Sequence, residues 1–167
     1  MTATPDGSRP VPANDPASDP DWDARAQAPG RTSYLQLAGW ARVKAVNGWA
    51  AVRLESPRSP VGGTAAATDH WSGAQILVRR PRPLPWGFAY APRGPLATAD
   101  DPASVAEFTA AVRASLTERA GRVSHLRIDP EIERDGPADG DGAYRRALRA
   151  AGWRPATPRS TATAAST

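Results

Sequence analysis

The chain has 167 residues, no cysteine, a formal charge of +4, and one lysine beside 20 arginines. Disulfides, thiolate nucleophiles and thiolate metal sites are excluded, and the missing cysteines fit a cytoplasmic setting. No apolar run approaches the length of a membrane span, and the size predicts one domain.

Residues 1–31 hold six of the 18 prolines, five Asp, three Arg and a single aromatic, Trp22. Such a stretch buries too little apolar surface to offset its ordering entropy and reads as a disordered leader. It lacks the basic start and apolar run of an export signal. Residues 32–159 form the expected domain, and 160–167 a Thr/Ala-rich tail. Setting the leader's net −2 aside leaves the rest at about +6. That charge suits an anionic partner; the codon bias of an Arg-, Ala- and Pro-rich chain produces the same balance.

Within the domain, Thr32 or Ser33 caps a predicted helix that runs to Val46 and stops at Asn47-Gly48. Trp49–Leu54 reads as a strand, 56–69 as a Pro/Gly-rich loop, and Ala74–Arg79 as a second strand. Pro81, Pro83 and Pro85 enforce an extended linker into a strand at Gly87–Ala91. Asp101-Pro102 opens a helix whose apolar stripe is Val105, Phe108, Val112 and Leu116, ended by Gly121. Val123–Ile128 is a strand, and Ala143–Ala151 a helix closed by Gly152. This alternation makes the class α/β. A mixed sheet closed by helices is expected to continue with another strand here, yet the chain passes into Pro158-Arg159-Ser160.

Three groups of residues are candidates for chemistry. Gln36, Trp40 and Lys44 recur every fourth residue, ~6 Å apart along a helix, and so form one stripe. An aromatic between an amide and an ammonium can wall a sugar-peptide or diphosphate site. The plainer alternative is a core Trp40 with two polar neighbours reaching past it. Lys44 is the lone lysine, a compact point charge that arginine's flat fork does not reproduce. Tyr90 and Arg93 lie in Tyr90-Ala-Pro-Arg93-Gly94-Pro95, where two prolines and Gly94 set a rigid turn; this is a groove wall or a structural corner. Asp129 ends a strand, where open α/β sheets tend to bind ligands. It can take a proton from an attacking amine, or simply start a turn with Pro130. His70 and His125 read as rim residues, with His125 alternating on its strand with Val123 and Arg127. The acidic run from Glu131 to Asp141 lacks calcium-loop spacing, and no metal site is expected.

Three segments carry a family resemblance in their order and spacing: Gln36-x3-Trp40-x3-Lys44-x3-Gly48-Trp49, then Ala89-Tyr90-Ala91-Pro92-Arg93-Gly94-Pro95, then Leu126-Arg127-Ile128-Asp129-Pro130-Glu131. Together, from about Ser33 to Pro155, they resemble the FemABX family of peptidoglycan interpeptide-bridge aminoacyltransferases. Leu37 departs from the family's usual serine, and Gly39 weakens the helix by ~1 kcal/mol.

The resemblance implies an acetyltransferase-like mixed sheet flanked by helices, incomplete here because family members have two such lobes and this chain matches the first. It implies transfer of an amino acid from aminoacyl-tRNA to the stem-peptide amine of a peptidoglycan precursor, without a cofactor. Lys44, Trp40, Gln36, Tyr90 and Arg93 would face the precursor and Asp129 the reacting amine. With the second lobe missing, the chain alone is expected to be inactive. The other class open to it is a non-catalytic anion- or peptide-binding module. A coenzyme A enzyme is disfavoured, because the nearest phosphate-loop match, Arg149-Ala-Ala-Gly152-Trp-Arg154, sits at a helix exit.

Overall fold

The computed structural model describes residues 21–30, 32–56, 59–60, 69–97, 102–132, 139 and 141–156. The expected Thr/Ala-rich tail and most of the leader lie outside them. The part of the leader that is described is helical: α1, Trp22–Gln27, with Trp22 and Ala26 fully buried. For Trp22–Gln27 this corrects the leader reading. Trp22 packs against Trp71 at 6.2 Å between ring centroids, and its Nε1 donates to the carbonyl of Gln36 at 2.7 Å. Arg25 makes a two-pronged ion pair with Glu55. A six-residue helix is too short to hold itself in water; these long-range contacts hold α1 in place.

The predicted helix from residue 33 to 46 is broken in two. Ser33 does cap its start, accepting from the Leu35 amide at 3.3 Å, but the turn it opens is a 3₁₀ turn at Tyr34–Gln36. Leu37 is then extended (φ −86°, ψ 156°), and α2 follows at Ala38–Ala45. The break has a partner on each side. The Leu37 carbonyl accepts from Gln75 Nε2 at 2.9 Å, and the first amide of α2, Ala38 N–H, donates to Asp23 of α1 at 2.7 Å. A carboxylate from elsewhere in the chain therefore does the work of an N-cap.

The main sheet has five strands: β1 (Trp49–Glu55), β4 (Ser72–Arg79), β5 (Gly87–Ala91), β6 (Leu96–Ala97) and β7 (Val123–Ile128). Two short strands inside the predicted loop, β2 (Ser59–Pro60) and β3 (Asp69–His70), pair only with each other. Across the main sheet the order is β1-β4-β5-β7. The β1–β4 and β4–β5 pairs are antiparallel, and β5–β7 is parallel. β6 pairs with the start of β4 and β5 with its end, so the two lie one beyond the other along a single strand.

α3 (Pro102–Ala120) supplies the crossover between the parallel strands. From its stripe Phe108, Val112 and Leu116 meet Val52, Leu54, Ala74, Ile76, Val78, Ala89 and Ala91, which form the larger core on one face of the sheet, and Val105 is buried as well. α4 (Ala143–Ala150) packs on α3, and Trp153 beyond it stacks on Phe108 and donates to Thr109 Oγ1 at 2.8 Å. On the other face α2 covers β1 and part of β4 through Ala41, Ala51 and Leu77. Of the candidate residues, Trp40 and Lys44 lie on α2, Tyr90 lies on β5, and Arg93 and Asp129 lie in the segments that follow β5 and β7.

Candidate functional site

Period-two alternation and the strand register assign the faces. Leu77, on the α2 face, stands opposite Tyr90, which in turn stands opposite Arg127. Phe88 belongs to the same face through its edge-on contact with Trp49 (5.3 Å), and His125 through its stacking on Phe88 (6.2 Å). The expected alternation of His125 with Val123 fails. The β5–β7 register shifts between Gly87 and Ala89, and this bulge turns Val123 to the core face with Leu126 and Ile128.

Asp129 follows the last residue of β7. Its Oδ2 accepts from the Tyr90 hydroxyl at 2.8 Å, and its Oδ1 accepts from the Arg93 backbone N–H at 2.6 Å. One carboxylate therefore ties the end of β5 to the turn that follows it, leaving each oxygen a further acceptor position. Burial, and after it the hydrogen bond and charge of Asp129, push the Tyr90 hydroxyl above the ordinary tyrosine range. The Arg127 guanidinium over the Tyr90 ring, 5.8 Å from its centroid, and Arg93 act the other way. Arg93 itself is exposed and reaches Glu131 at 3.5 Å.

The turn owes its shape to a different residue than the one expected. Arg93, not Gly94, takes the left-handed conformation, with φ 55°. Such a backbone costs a non-glycine residue ~1 kcal/mol, and its amide bond to Asp129 helps to hold it. Gly94 is needed for space: a Cβ there would stand 3.0 Å from Gln36 Nε2 and 3.3 Å from the Ala74 Cβ.

The stripe of Gln36, Trp40 and Lys44 is not one wall. Gln36 is fully buried and spent on the backbone: Nε2 donates to Pro92 O at 2.6 Å and Gln75 O at 3.2 Å, and Oε1 accepts from Gln75 N at 2.7 Å. It braces the turn from beneath and is no ligand wall. The extended Leu37 breaks the helical spacing that would have aligned it with Trp40. Trp40 and Lys44 do share α2. Lys44 Nζ sits 4.7 Å from the Trp40 ring centroid, and Tyr34 meets Trp40 edge-on at 5.7 Å. α2 lies on the same side of the sheet as Tyr90, which stands opposite the α2-covered Leu77, while Trp49, Phe88 and His125 form an aromatic row beside it on that side. The structure thus links Tyr90, Arg93 and Asp129 through hydrogen bonds, places Trp40 and Lys44 together on α2, and buries Gln36 beneath the turn. Sequence reasoning missed Arg127 as the neighbour of Tyr90, although it stands two residues before Asp129.

The nearest phosphate-loop match, residues 149–154, leaves a helix and does not enter one. Gly152 (φ 95°) ends α4, with its N–H on Arg149 O and the Trp153 N–H on Leu148 O, which is a helix C-terminus turn.

A mixed five-stranded sheet with a parallel β5–α3–β7 crossover and helices on both faces is the acetyltransferase-like architecture. Neither a family model nor a curated protein matches the sequence. Among solved structures the chain is similar to the crystal structure of FemX, at 25% identity and a TM-score of 0.58. The match covers 81% of this chain and 30% of that chain, so the described fold is one lobe of a FemABX-like protein. No helix among the described residues is long and apolar enough to cross a membrane.

Proposed function

We propose that this chain is the precursor-binding lobe of an aminoacyltransferase that moves an amino acid from aminoacyl-tRNA to the stem-peptide amine of a peptidoglycan precursor, in the cytoplasm. The observation that carries the reading is the Asp129 carboxylate at the end of β7. It is held by Tyr90, which shares its side of the sheet with α2 and so with Lys44 and Trp40, and by the Arg93 amide, within a FemX-like lobe.

In the reaction the precursor's amine nitrogen attacks the ester carbonyl of the aminoacyl-tRNA. A C–N bond forms and the ester C–O bond breaks. The proton lost by the amine passes by way of Asp129 to the departing tRNA hydroxyl. The ester is already activated, so the protein's main contribution is to hold the two reactants together. Lys44 and Arg93 grip the anionic precursor, and Trp40 lies against its sugar or peptide. The match covers 30% of FemX, and in this reading the described lobe supplies precursor binding while transfer requires more than this lobe.

The test is calorimetric titration of a UDP-linked muropeptide into the full chain and into its Lys44→Ala variant. Binding by the parent that weakens in the variant supports the proposal. Absent or unaltered binding refutes it.

A further inference from the structure

Among the described residues five large hydrophobic side chains are exposed, and four of them, Val43, Val46, Leu84 and Trp86, flank two connections at one end of the main sheet. Val46, 87% exposed, lies between α2 and β1, and Val43 precedes it on α2 by about a turn. Leu84 and Trp86 lie in the linker from β4 to β5. Trp49 pairs with Arg79, so the start of β1 adjoins the end of β4 and the two connections leave the sheet side by side. Both are described without a gap. The linker enters β5 where the parallel β7 begins, whereas Asp129 follows the other end of β7.

The same end of the sheet is basic. Arg42, Arg79 and Arg82 are exposed there, and so is Arg122, whose carbonyl accepts from the Gly87 N–H at 2.9 Å. No Asp or Glu occurs in 38–54 or 77–97. Glu118, on the last turn of α3, is outnumbered by Arg119 and Arg122. Glu55 and Asp129 end their strands at the opposite end.

The linker is also suited to leaving water. A backbone N–H without a partner is costly in apolar surroundings. Pro81, Pro83 and Pro85 have none, and the Leu84 N–H is already bonded to the Pro81 carbonyl at 3.0 Å.

From these observations we infer that this end of the sheet docks on a membrane surface carrying anionic lipids. Val46, Leu84 and Trp86 enter the boundary between headgroups and acyl chains, where tryptophan is enriched. Arg42, Arg79, Arg82 and Arg122 face the lipid phosphates. The three prolines fix the linker's shape, so little ordering is left to offset on docking. RNA fits less well: three of the four apolar side chains are aliphatic and offer a base no ring to stack on. The inference does not rest on the proposed transfer activity.

The experiment sediments the full chain with sucrose-loaded vesicles of equal parts phosphatidylglycerol and phosphatidylcholine, and in parallel with phosphatidylcholine alone. Phosphatidylcholine brominated on its acyl chains, mixed into the anionic vesicles, reports insertion by quenching tryptophan fluorescence. The variants are Leu84→Ser/Trp86→Ser, Arg82→Glu, and Arg146→Glu, which makes the same change of charge on α4. The expected result is binding to the anionic vesicles, at least about tenfold weaker binding to the neutral ones, and quenching that the serine variant loses. Binding should weaken about tenfold in the serine variant and in Arg82→Glu, and stay within about twofold of the parent in Arg146→Glu. All the substituted residues are exposed, and circular dichroism with thermal unfolding checks that each variant is folded. If the serine variant fails that check, Arg82→Glu and the quenching of the parent decide. No binding to anionic vesicles, equal binding to neutral ones, no quenching, or equal losses in Arg82→Glu and Arg146→Glu would each overturn the inference. So would binding of an oligouridylate that Leu84→Ser/Trp86→Ser abolishes.

Discussion

Replacing Trp22 tests whether the residues before the domain belong to its core. Its indole is fully buried against Trp71 and Leu96, the Arg53 guanidinium lies 5.1 Å from the ring centroid, and Nε1 bonds the Gln36 carbonyl at 2.7 Å. Truncating a buried tryptophan to alanine costs about 3–5 kcal/mol in lost transfer energy and cavity. For a domain of this size that lowers the melting temperature by roughly 10–20 °C. Trp22→Phe separates the two contributions: it keeps most of the ring and orphans the Gln36 carbonyl, at a cost of about 1–3 kcal/mol. Urea unfolding followed by far-ultraviolet circular dichroism should order the midpoints parent, Phe, Ala, with similar slopes. A Trp22→Ala midpoint indistinguishable from the parent's would refute the docking of α1 and restore the view of 1–31 as a leader outside the fold.

Three further outcomes follow from the site. Lys44→Ala should weaken binding of a UDP-linked muropeptide by ~1–3 kcal/mol with little change in melting temperature, and Lys44→Arg should recover part of the loss; calorimetry measures both. Gly94→Ala should destabilise by ~1–3 kcal/mol through the crowding of Gln36 and Ala74, read by urea unfolding; a neutral result would mean that the turn yields freely. The raised Tyr90 pKa favours the protonated phenol in the folded state. Its contribution is therefore complete below the unfolded value of ~10 and fades as pH rises through the folded one. Stability measured from neutral pH to above pH 10 should fall less steeply in Tyr90→Phe than in the parent.

Much of the fold is legible from local signals, because those signals agree with the tertiary structure. α3 announces itself by a first-turn proline and an unbroken stripe, and β7 falls on its expected residues, Val123–Ile128. α1 was hidden because nothing local stabilises it; a lone Trp22 among prolines means something only once Trp71 and Gln36 are in place. Gln36 misled for the opposite reason. Its spacing to Trp40 and Lys44 is helical, but a buried amide with three backbone partners on β4 and the Pro92 turn overrode the helix. At the site, the strand-end position of Asp129 could be read from sequence, whereas its ties to Tyr90 and Arg93 depend on a parallel pairing across the α3 crossover. The bulge that turns His125 and Val123 apart left no mark in the sequence.

The brace beneath the turn bears on how the protein is made. Trp22 reaches Gln36 across 14 residues, Gln36 reaches Pro92 across 56, and the Arg93 amide reaches Asp129 across a further 36. On a ribosome these partners emerge one after another, each waiting for the next. β4 and β5 can pair early, but β5 keeps an open side until α3 and then β7 have been synthesised. Such distant closures slow folding relative to local ones. The residues proposed to grip substrate therefore come into register only once β7 has been made, and until then the nascent chain exposes one side of the apolar strand Gly87–Ala91 to mispairing.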